Sequence, residues 1–315
     1  MPVVRYDVLT MGRVSVDLYP EQIGVPLAKV STFSKSLGGS ATNVAVAASR
    51  LGRRAAVITK VGADGFGEYI REALTTFGVD AEFVGTDARL RTPLVFCEIY
   101  PPDNFPLLFY REPTAPDMTI TVAELPREAI REAALFWTTG TGLSAEPSRA
   151  ATLAALDLAT GMRVHDLDHR PSLWREGDEP RRWAMKAAER ATVVVGNVDE
   201  MEMATGTRDP ANAAAAILAA GPETVIVKQG LSGASAYTKG RTFHAAAIPV
   251  TVVCGLGAGD AFGGALAHCL LSEWELGRAL SFANAAGAIV ASRLACADAM
   301  PTAFEVNELL ATVKS

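Results

Sequence analysis

The chain has 315 residues, 49% of them hydrophobic and 20% charged, which is the composition of a folded globular protein and excludes a disordered polymer. A formal net charge of −6 lacks the basic footprint of a dedicated nucleic-acid binder, though it leaves room for a local basic pocket. No apolar run is long enough to cross a bilayer; Ala283 to Ala291 is short, Ala-rich and reads as buried helix.

The opening residues Met1 to Asp7 lack the charged-then-apolar layout of a signal peptide. The cysteines Cys97, Cys254, Cys269 and Cys296 form no CxxC pair, so reduced, buried thiols in a cytoplasmic chain are expected. Val8 to Val14 reads as a first strand, broken by Gly12 and ending near Asp17. Ser40 to Leu51 has a regular apolar face, with Gly52 where a helix C-terminal cap belongs. Ala55 to Val61 is β-rich, and Phe66 to Phe77 is an amphipathic helix stopped by Gly78. Such alternation predicts a parallel α/β sheet.

The next stretch differs. Leu94 to Tyr100, the turn Pro101 to Asn104 and Leu107 to Tyr110 form a hairpin signature without a crossover helix. With the segment around Leu18 to Leu37 it is expected to project as a small β lid, drawn from about residues 13–37 and 91–116. Alternation then resumes. Strands are predicted at Leu135 to Thr138, Arg163 to Leu167, Thr192 to Val195 and Thr224 to Lys228. Helices are predicted at Pro147 to Thr160, Pro180 to Arg190 and Pro210 to Ala220. Ala234 to Tyr237 and Thr242 to Ala245 read as antiparallel strands, Val250 to Val253 as a strand leading into a glycine cluster, and three helices finish the chain. Nothing resembles a linker, repeat or charge block. The expected architecture is one doubly wound, mostly parallel α/β domain over residues 1–315 with its lid.

The cluster Gly255-Leu256-Gly257-Ala258-Gly259-Asp260 opens a helix. Its glycines let backbone N–H groups turn toward one point, and the helix start adds positive potential and unpaired donors, which together suit a phosphate. The spacing is not a dinucleotide fingerprint, and no Gly-Lys-Ser/Thr phosphate loop occurs. A carboxylate directly after the last glycine would repel bound phosphate unless it has another task, such as taking a proton from an attacking hydroxyl. By itself the run fits equally a tight turn capped by Asp260. Near the start, Gly38-Gly39-Ser40-Ala41-Thr42-Asn43 also precedes a helix. Asn43 offers donor and acceptor to sugar hydroxyls and Asp17 offers an acceptor, while Ser40 or Thr42 also suits a simple N-cap.

Gly-Gly-x-x-x-Asn early and Gly-Ala-Gly-Asp late, in this order on an alternating α/β chain, resemble the two signatures of the ribokinase-like (PfkB) carbohydrate kinases from about Tyr6 to Ala311. The stretches Met11 to Pro20, Leu37 to Val46, Phe96 to Ile99 with Pro101 to Asp103, Asp166 to Pro171 and Cys254 to Asp260 are most similar to a branch that phosphorylates the 6-hydroxyl of a keto-deoxy sugar acid. The resemblance implies ATP and Mg²⁺, with Asp260 as catalytic base and Gly257, Ala258 and Gly259 as anion hole. It places Asp17, Gly38, Gly39 and Asn43 on the sugar. Asn197-Val198-Asp199-Glu200 matches the family's Asn-x-x-Glu motif, so Asn197 lies near phosphate and Glu200 near Mg²⁺; the same residues also suit an ordinary helix start. Lys228, Gly230 and Gly233 resemble the nucleotide-side turn, and Asn284 a position lining the adenine pocket. A sugar acid needs a cationic partner, for which arginine's two-point geometry is favoured. Arg111 and Arg170 match arginines of relatives, and Lys35 and Arg13 are further candidates. Cys254 stands where many relatives carry a monovalent-cation aspartate, so the resemblance leaves K⁺ activation open.

Other readings are a related kinase of 2-keto-3-deoxygluconate, fructose or a nucleoside, a non-catalytic sugar-binding regulator, and a nicotinamide oxidoreductase, the last disfavoured by the missing N-terminal fingerprint. Neither nucleic acid nor membrane is expected as a partner. The apolar hairpin Leu107 to Tyr110 suits homodimer pairing through the lid and lid-to-body packing alike.

Overall fold

A computed structural model describes residues 5–313. Met1 to Val4, part of the stretch read as lacking a signal peptide, lie outside the described residues. In chain order the elements are β1 (Val8–Met11), β2 (Ser15–Pro20), β3 (Phe33–Gly38), α1 (Ser40–Arg50), β4 (Ala55–Gly62), α2 (Gly65–Thr76), β5 (Val79–Asp80), β6 (Val84–Asp87), β7 (Leu94–Cys97) and β8 (Leu107–Tyr110). Then come α3 (Arg127–Glu132), β9 (Leu135–Thr139), α4 (Ser148–Leu158), β10 (Met162–Asp166), α5 (Pro180–Ala188), β11 (Val193–Asn197), α6 (Val198–Thr205), α7 (Pro210–Ala220), β12 (Thr224–Lys228), β13 (Ala234–Thr238), β14 (Arg241–Ala245), α8 (Ala258–Leu271), α9 (Leu276–Ala291) and α10 (Ala303–Val313).

The main sheet runs β14-β13-β12-β11-β10-β9-β1-β4-β5, with β6 also on β4. All pairs are parallel except β12–β13 and β13–β14. Its central strands β1, β4 and β9 are buried on both faces, which is why they read as continuous apolar runs, while the edge strand β14 is largely exposed. Val8, Val57, Trp137 and Val195 face one apolar layer with α1, α8 and α9. Their neighbours Leu9, Ile58 and Phe136 face a second layer with α3 and α4, and Val194 and Val225 a third with α6 and α7. Helices therefore cover both faces, in the ribokinase-like mostly parallel arrangement expected.

The strand expected over Val8 to Val14 is two strands. β1 ends at Met11, the chain bends at Gly12–Val14, and β2 leaves for a separate four-stranded sheet of order β3-β2-β7-β8. Burial is nearly continuous from Val8 through the bend to Pro20, so the apolar run does not mark it. The strand expected at Val250 to Val253 does not form. Val253 and Cys254 N–H groups instead donate to the Ala291 carbonyl at 2.8 and 3.1 Å, and Val250 and Val252 wall a cavity.

Two helices set the site. α8 carries Gly263 and Gly264 where it crosses β9 and α1. A Cβ on Gly264 would lie 2.4 Å from Ala47 Cβ and 2.9 Å from Ala48 N, and one on Gly263 would lie 3.0 Å from the Trp137 ring. Glycine is needed here for close approach, not for an unusual φ. All four cysteines are free and buried. No helix among the described residues is long and apolar enough to cross a membrane.

Candidate active site

The starts of α1 and α8 meet at the carboxyl edge of the sheet, where ligands gather in open α/β folds. Asn43, in the first turn of α1 and 2% exposed, donates from Nδ2 to Asp260 Oδ2 at 2.8 Å across 217 residues of chain. Asp260 is the third residue of α8, whose N-cap Gly257 has φ +81°, a conformation glycine adopts without strain. The first-turn amides, including Gly259 and Asp260, have no intrahelical acceptor and face the helix's positive end. Burial pushes the Asp260 carboxyl up to about 7, with Asp168 adding to the rise, against the Asn43 hydrogen bond and the nearby Arg13 and Arg170 charges. A carboxyl so placed can accept a proton near neutral pH.

Beside the start of α1, Asp17 (8% exposed) comes from β2 and accepts from Ser15 Oγ at 2.7 Å. Its carboxylate covers Gly38: a Cβ there would fall 2.1 Å from Oδ1. Gly39, with φ +102°, caps α1, and a Cβ on it would strike the Arg13 carbonyl at 2.4 Å. Burial pushes the Asp17 carboxyl up from its usual range. Asn43 Oδ1 is buried without a hydrogen-bond partner among the described residues, which leaves an acceptor free.

A charge cluster occupies the floor. Asp166 and Asp168 end β10 and its loop. Lys228 Nζ contacts Asp166 Oδ2 at 3.2 Å, and Gly259 lies beside the same ammonium, since a Cβ on it would sit 3.6 Å from Nζ. Burial works against the Lys228 charge, but Asp166, Glu200 and Asp260 outweigh it and hold the group above its ordinary value. Asp168, at φ +26°, accepts from Ser40 Oγ and from Thr141 Oγ1 at 3.3 Å and pairs with Arg170 at 3.1 Å. Burial opposes its charge; Arg170 and Arg13 more than compensate and lower its pKa. Sequence reading passed over Asp166 and Asp168 as functional groups. The available signal was the stretch Asp166 to Pro171, which the resemblance already singled out and which puts acidic residues at and just past the end of β10.

Asn197 and Glu200 form a reciprocal capping box on α6: Asn197 N–H donates to Glu200 Oε2 at 2.7 Å and Glu200 N–H to Asn197 Oδ1 at 2.9 Å. Burial pushes the Glu200 carboxyl up to about 7, against the pull of Lys228. Gly230, Gly233 and Asn284 line a cavity of about 240 Å³ beside Ala258 and Phe262. Asn284 Nδ2 also donates to the Ala245 and Ala246 carbonyls, both at 3.0 Å, tying α9 to the end of β14.

The structure does not bring Lys35 to this cleft. In the β2–β3 register Lys35 pairs with Leu18, whereas Ser36 pairs with Asp17, so alternation puts Lys35 on the opposite face of the lid. Its Nζ lies 4.0 Å from the Tyr69 ring centroid on α2. Arg111 is buried with its fork engaged by Asp117 and, at 3.4 Å, by the Val14 carbonyl. Arg13 projects from the β1–β2 bend; its guanidinium lies 4.0 Å from Asp168 and 5.7 Å from the Phe109 ring centroid.

A sugar cleft and a phosphate-facing helix start, joined through one carboxyl, define a small-molecule kinase. The chain belongs to the pfkB family of carbohydrate kinases, whose model matches residues 6–303, and is accordingly a phosphotransferase acting on an alcohol group. It is 35% identical over 314 residues to the 5-dehydro-2-deoxygluconokinase of Listeria monocytogenes serotype 4a (strain HCC23), covering 98% of this chain and 96% of that protein. It is 33% identical to the enzyme of the same name from Geobacillus kaustophilus (strain HTA426), covering 96% and 93%. Among solved structures it is similar to a fructokinase from Vibrio cholerae O395 bound to fructose, ADP and calcium ion, at TM-score 0.85 and 27% identity over 96% of this chain and 98% of that one. A fructokinase from Xylella fastidiosa with bound ATP gives TM-score 0.87 at 23% identity over 98% and 99%.

Proposed function

We propose that the chain transfers the γ-phosphoryl group of ATP to the 6-hydroxyl of 5-dehydro-2-deoxy-D-gluconate, in the cytoplasm, as one kinase domain with its lid. The observation that carries this reading is the Asn43–Asp260 contact, which sets the base inside the sugar cleft of a chain 35% identical to named 5-dehydro-2-deoxygluconokinases. ATP lies with its base in the cavity lined by Gly230, Gly233 and Asn284 and its phosphates toward Lys228 and the Gly257–Asp260 amides. Glu200 is buried near the Asp166 and Asp168 carboxylates, whose charge adds to the rise in its pKa, so a divalent cation there would relieve that repulsion; Mg²⁺ held from the Asn197–Glu200 side would neutralise phosphate charge. Asp17, Gly38, Gly39 and Asn43 hold the sugar, with Arg170 bordering it. Asp260 takes the hydroxyl proton as the new O–P bond forms and the bond to the β-phosphate oxygen breaks, releasing ADP. The helix-start amides stabilise the charge that develops.

The site does not fit a monovalent cation at Cys254. That thiol is fully buried, and burial raises its pKa, so it stays neutral. It packs with Cys97, Cys296 and Tyr19, whereas a hard cation needs oxygen ligands. The related Vibrio cholerae fructokinase has been solved with potassium ion.

The deciding experiment measures ADP release with Mg-ATP on 5-dehydro-2-deoxygluconate, 2-keto-3-deoxygluconate, fructose and a nucleoside, with and without K⁺. The first substrate is expected to give the highest kcat/KM, by at least about tenfold, with rates unchanged by K⁺. Preference for another acceptor would overturn the substrate; no ADP release with any would favour a regulator.

We also infer a homodimer through the outer lid face. There Leu108 (48% exposed) and Tyr110 (58% exposed) stand beside the edge-to-face pairs of Phe96 with Phe33 and Tyr110. Sedimentation should show a dimer in the wild type and a monomer for Leu108→Glu/Tyr110→Lys; a monomeric wild type at micromolar concentration rules the pairing out.

A further inference from the structure

Of the basic side chains near the cleft, three are already committed. Arg111 is held by Asp117 and the Val14 carbonyl, Arg170 is paired with Asp168 at 3.1 Å, and Lys228 with Asp166 at 3.2 Å. Arg13 differs. It is 8% exposed, and among the described residues its one ion pair, with Asp168, sits at 4.0 Å; Nε of Arg13 and Nε of Arg170 both lack a hydrogen-bond partner, but Arg170 has its carboxylate at 3.1 Å and Arg13 does not. Asp168 is meanwhile engaged by Arg170, Ser40 and Thr141.

The Arg13 charge favours the ionised form of two other carboxyls, Asp17 and Asp260, so the guanidinium is near both. A buried cation with its donors unspent is costly unless an anion completes it. The main chain around it is braced. Thr42 Oγ1 donates to the Arg13 carbonyl at 3.3 Å, and Asp117, itself held by Arg111, accepts the Val14 N–H at 3.0 Å. Phe109 on lid strand β8 lies over the guanidinium. A planar cation with a fixed stem and a ring over it suits two-point capture of a carboxylate.

We propose that Arg13 holds the carboxylate of the sugar-acid substrate and is the residue that selects an acid over a neutral sugar. The assignment rests on the sugar-acid reading above. Arg111 then serves as a brace for the bend that presents Arg13.

The test compares wild type, Arg13→Met, Arg13→Gln and Arg13→Lys on 5-dehydro-2-deoxygluconate and on its C1 alcohol, which keeps the other hydroxyls and replaces the charged carboxylate with a neutral CH2OH. Binding of a non-hydrolysable ATP analogue, expected within about threefold of wild type, reports that each variant is folded. The wild type is expected to prefer the acid. Met and Gln variants should raise KM for the acid roughly 10²-fold, change kcat much less, and lose most of the preference over the alcohol; Lys should recover part of it. An equal loss of kcat on acid and alcohol would place Arg13 on the transferred phosphoryl group and overturn the proposal. So would a variant that keeps the acid preference. Wild-type turnover of a different acid, with the Arg13 effect intact, would remove only the substrate reading; turnover of neutral sugars alone would remove both.

Discussion

Asp260→Asn is expected to lower kcat by roughly 10²- to 10⁴-fold, with KM for both substrates within a few-fold of wild type. Asparagine keeps the size of the side chain and an oxygen that can accept from Asn43 Nδ2, so the 2.8 Å link between α1 and α8 can survive. What is lost is the group that takes the proton. Wild-type kcat/KM should rise with pH through an acid limb near 7, because burial raises the Asp260 carboxyl to about that value and only its charged form acts. The variant should lack that limb. Stability should move the other way. A carboxyl raised from 3.8 to about 7 on folding binds its proton more tightly in the folded chain, so it lowers stability as pH rises from about 4 through 7. Asp260→Asn should therefore be more stable than wild type at pH 8, by roughly a few kcal/mol, and nearly equal to it at pH 4. Turnover within threefold of wild type would remove Asp260 as the base.

Gly38→Ala should lower kcat/KM for the sugar by roughly 10²- to 10³-fold while leaving binding of an ATP analogue within about threefold. The added methyl would fall 2.1 to 2.2 Å from three atoms of the Asp17 carboxyl, closer than any non-bonded contact allows. Either Asp17 leaves its hydrogen bond to Ser15 or β2 and β3 separate at the Ser15–Gly38 pair. Both outcomes displace the sugar acceptor; neither touches the nucleotide cavity. Gly65→Ala is the control, since nothing lies within 4 Å of the Cβ it would add. Unchanged sugar kinetics in Gly38→Ala would show that Asp17 does not bind the acceptor.

The sheet and its helices were legible because parallel strands buried on both faces read as short apolar runs, and because glycines or prolines punctuate most of the helices. Both glycine-led helix starts were legible too. Their meeting was not written in any local pattern: Asn43 and Asp260 are far apart in sequence, and only family resemblance linked them. The bend at Gly12–Val14 escaped because the chain stays buried on both sides of it. Val250 to Val253 misled because apolar residues wall a ligand cavity as readily as they build a strand. Lys35 misled because its face is decided by register with β2, one residue from the side that carries Ser36. Arg170 and Lys228 were read as site residues, but their pairing with Asp168 and Asp166 was not legible, because Lys228 comes from β12, 62 residues beyond Asp166.

The seam between α1 and α8 is made of glycine and alanine at its closest point, with no long side chain between the two backbones. Rotamer jumps therefore cannot alter the gap, and the alignment of acceptor and base is stored in main-chain geometry. A bulkier residue at position 47, one helical turn from Asn43, would act like a shim: it would leave every contacting group in place and spoil their aim.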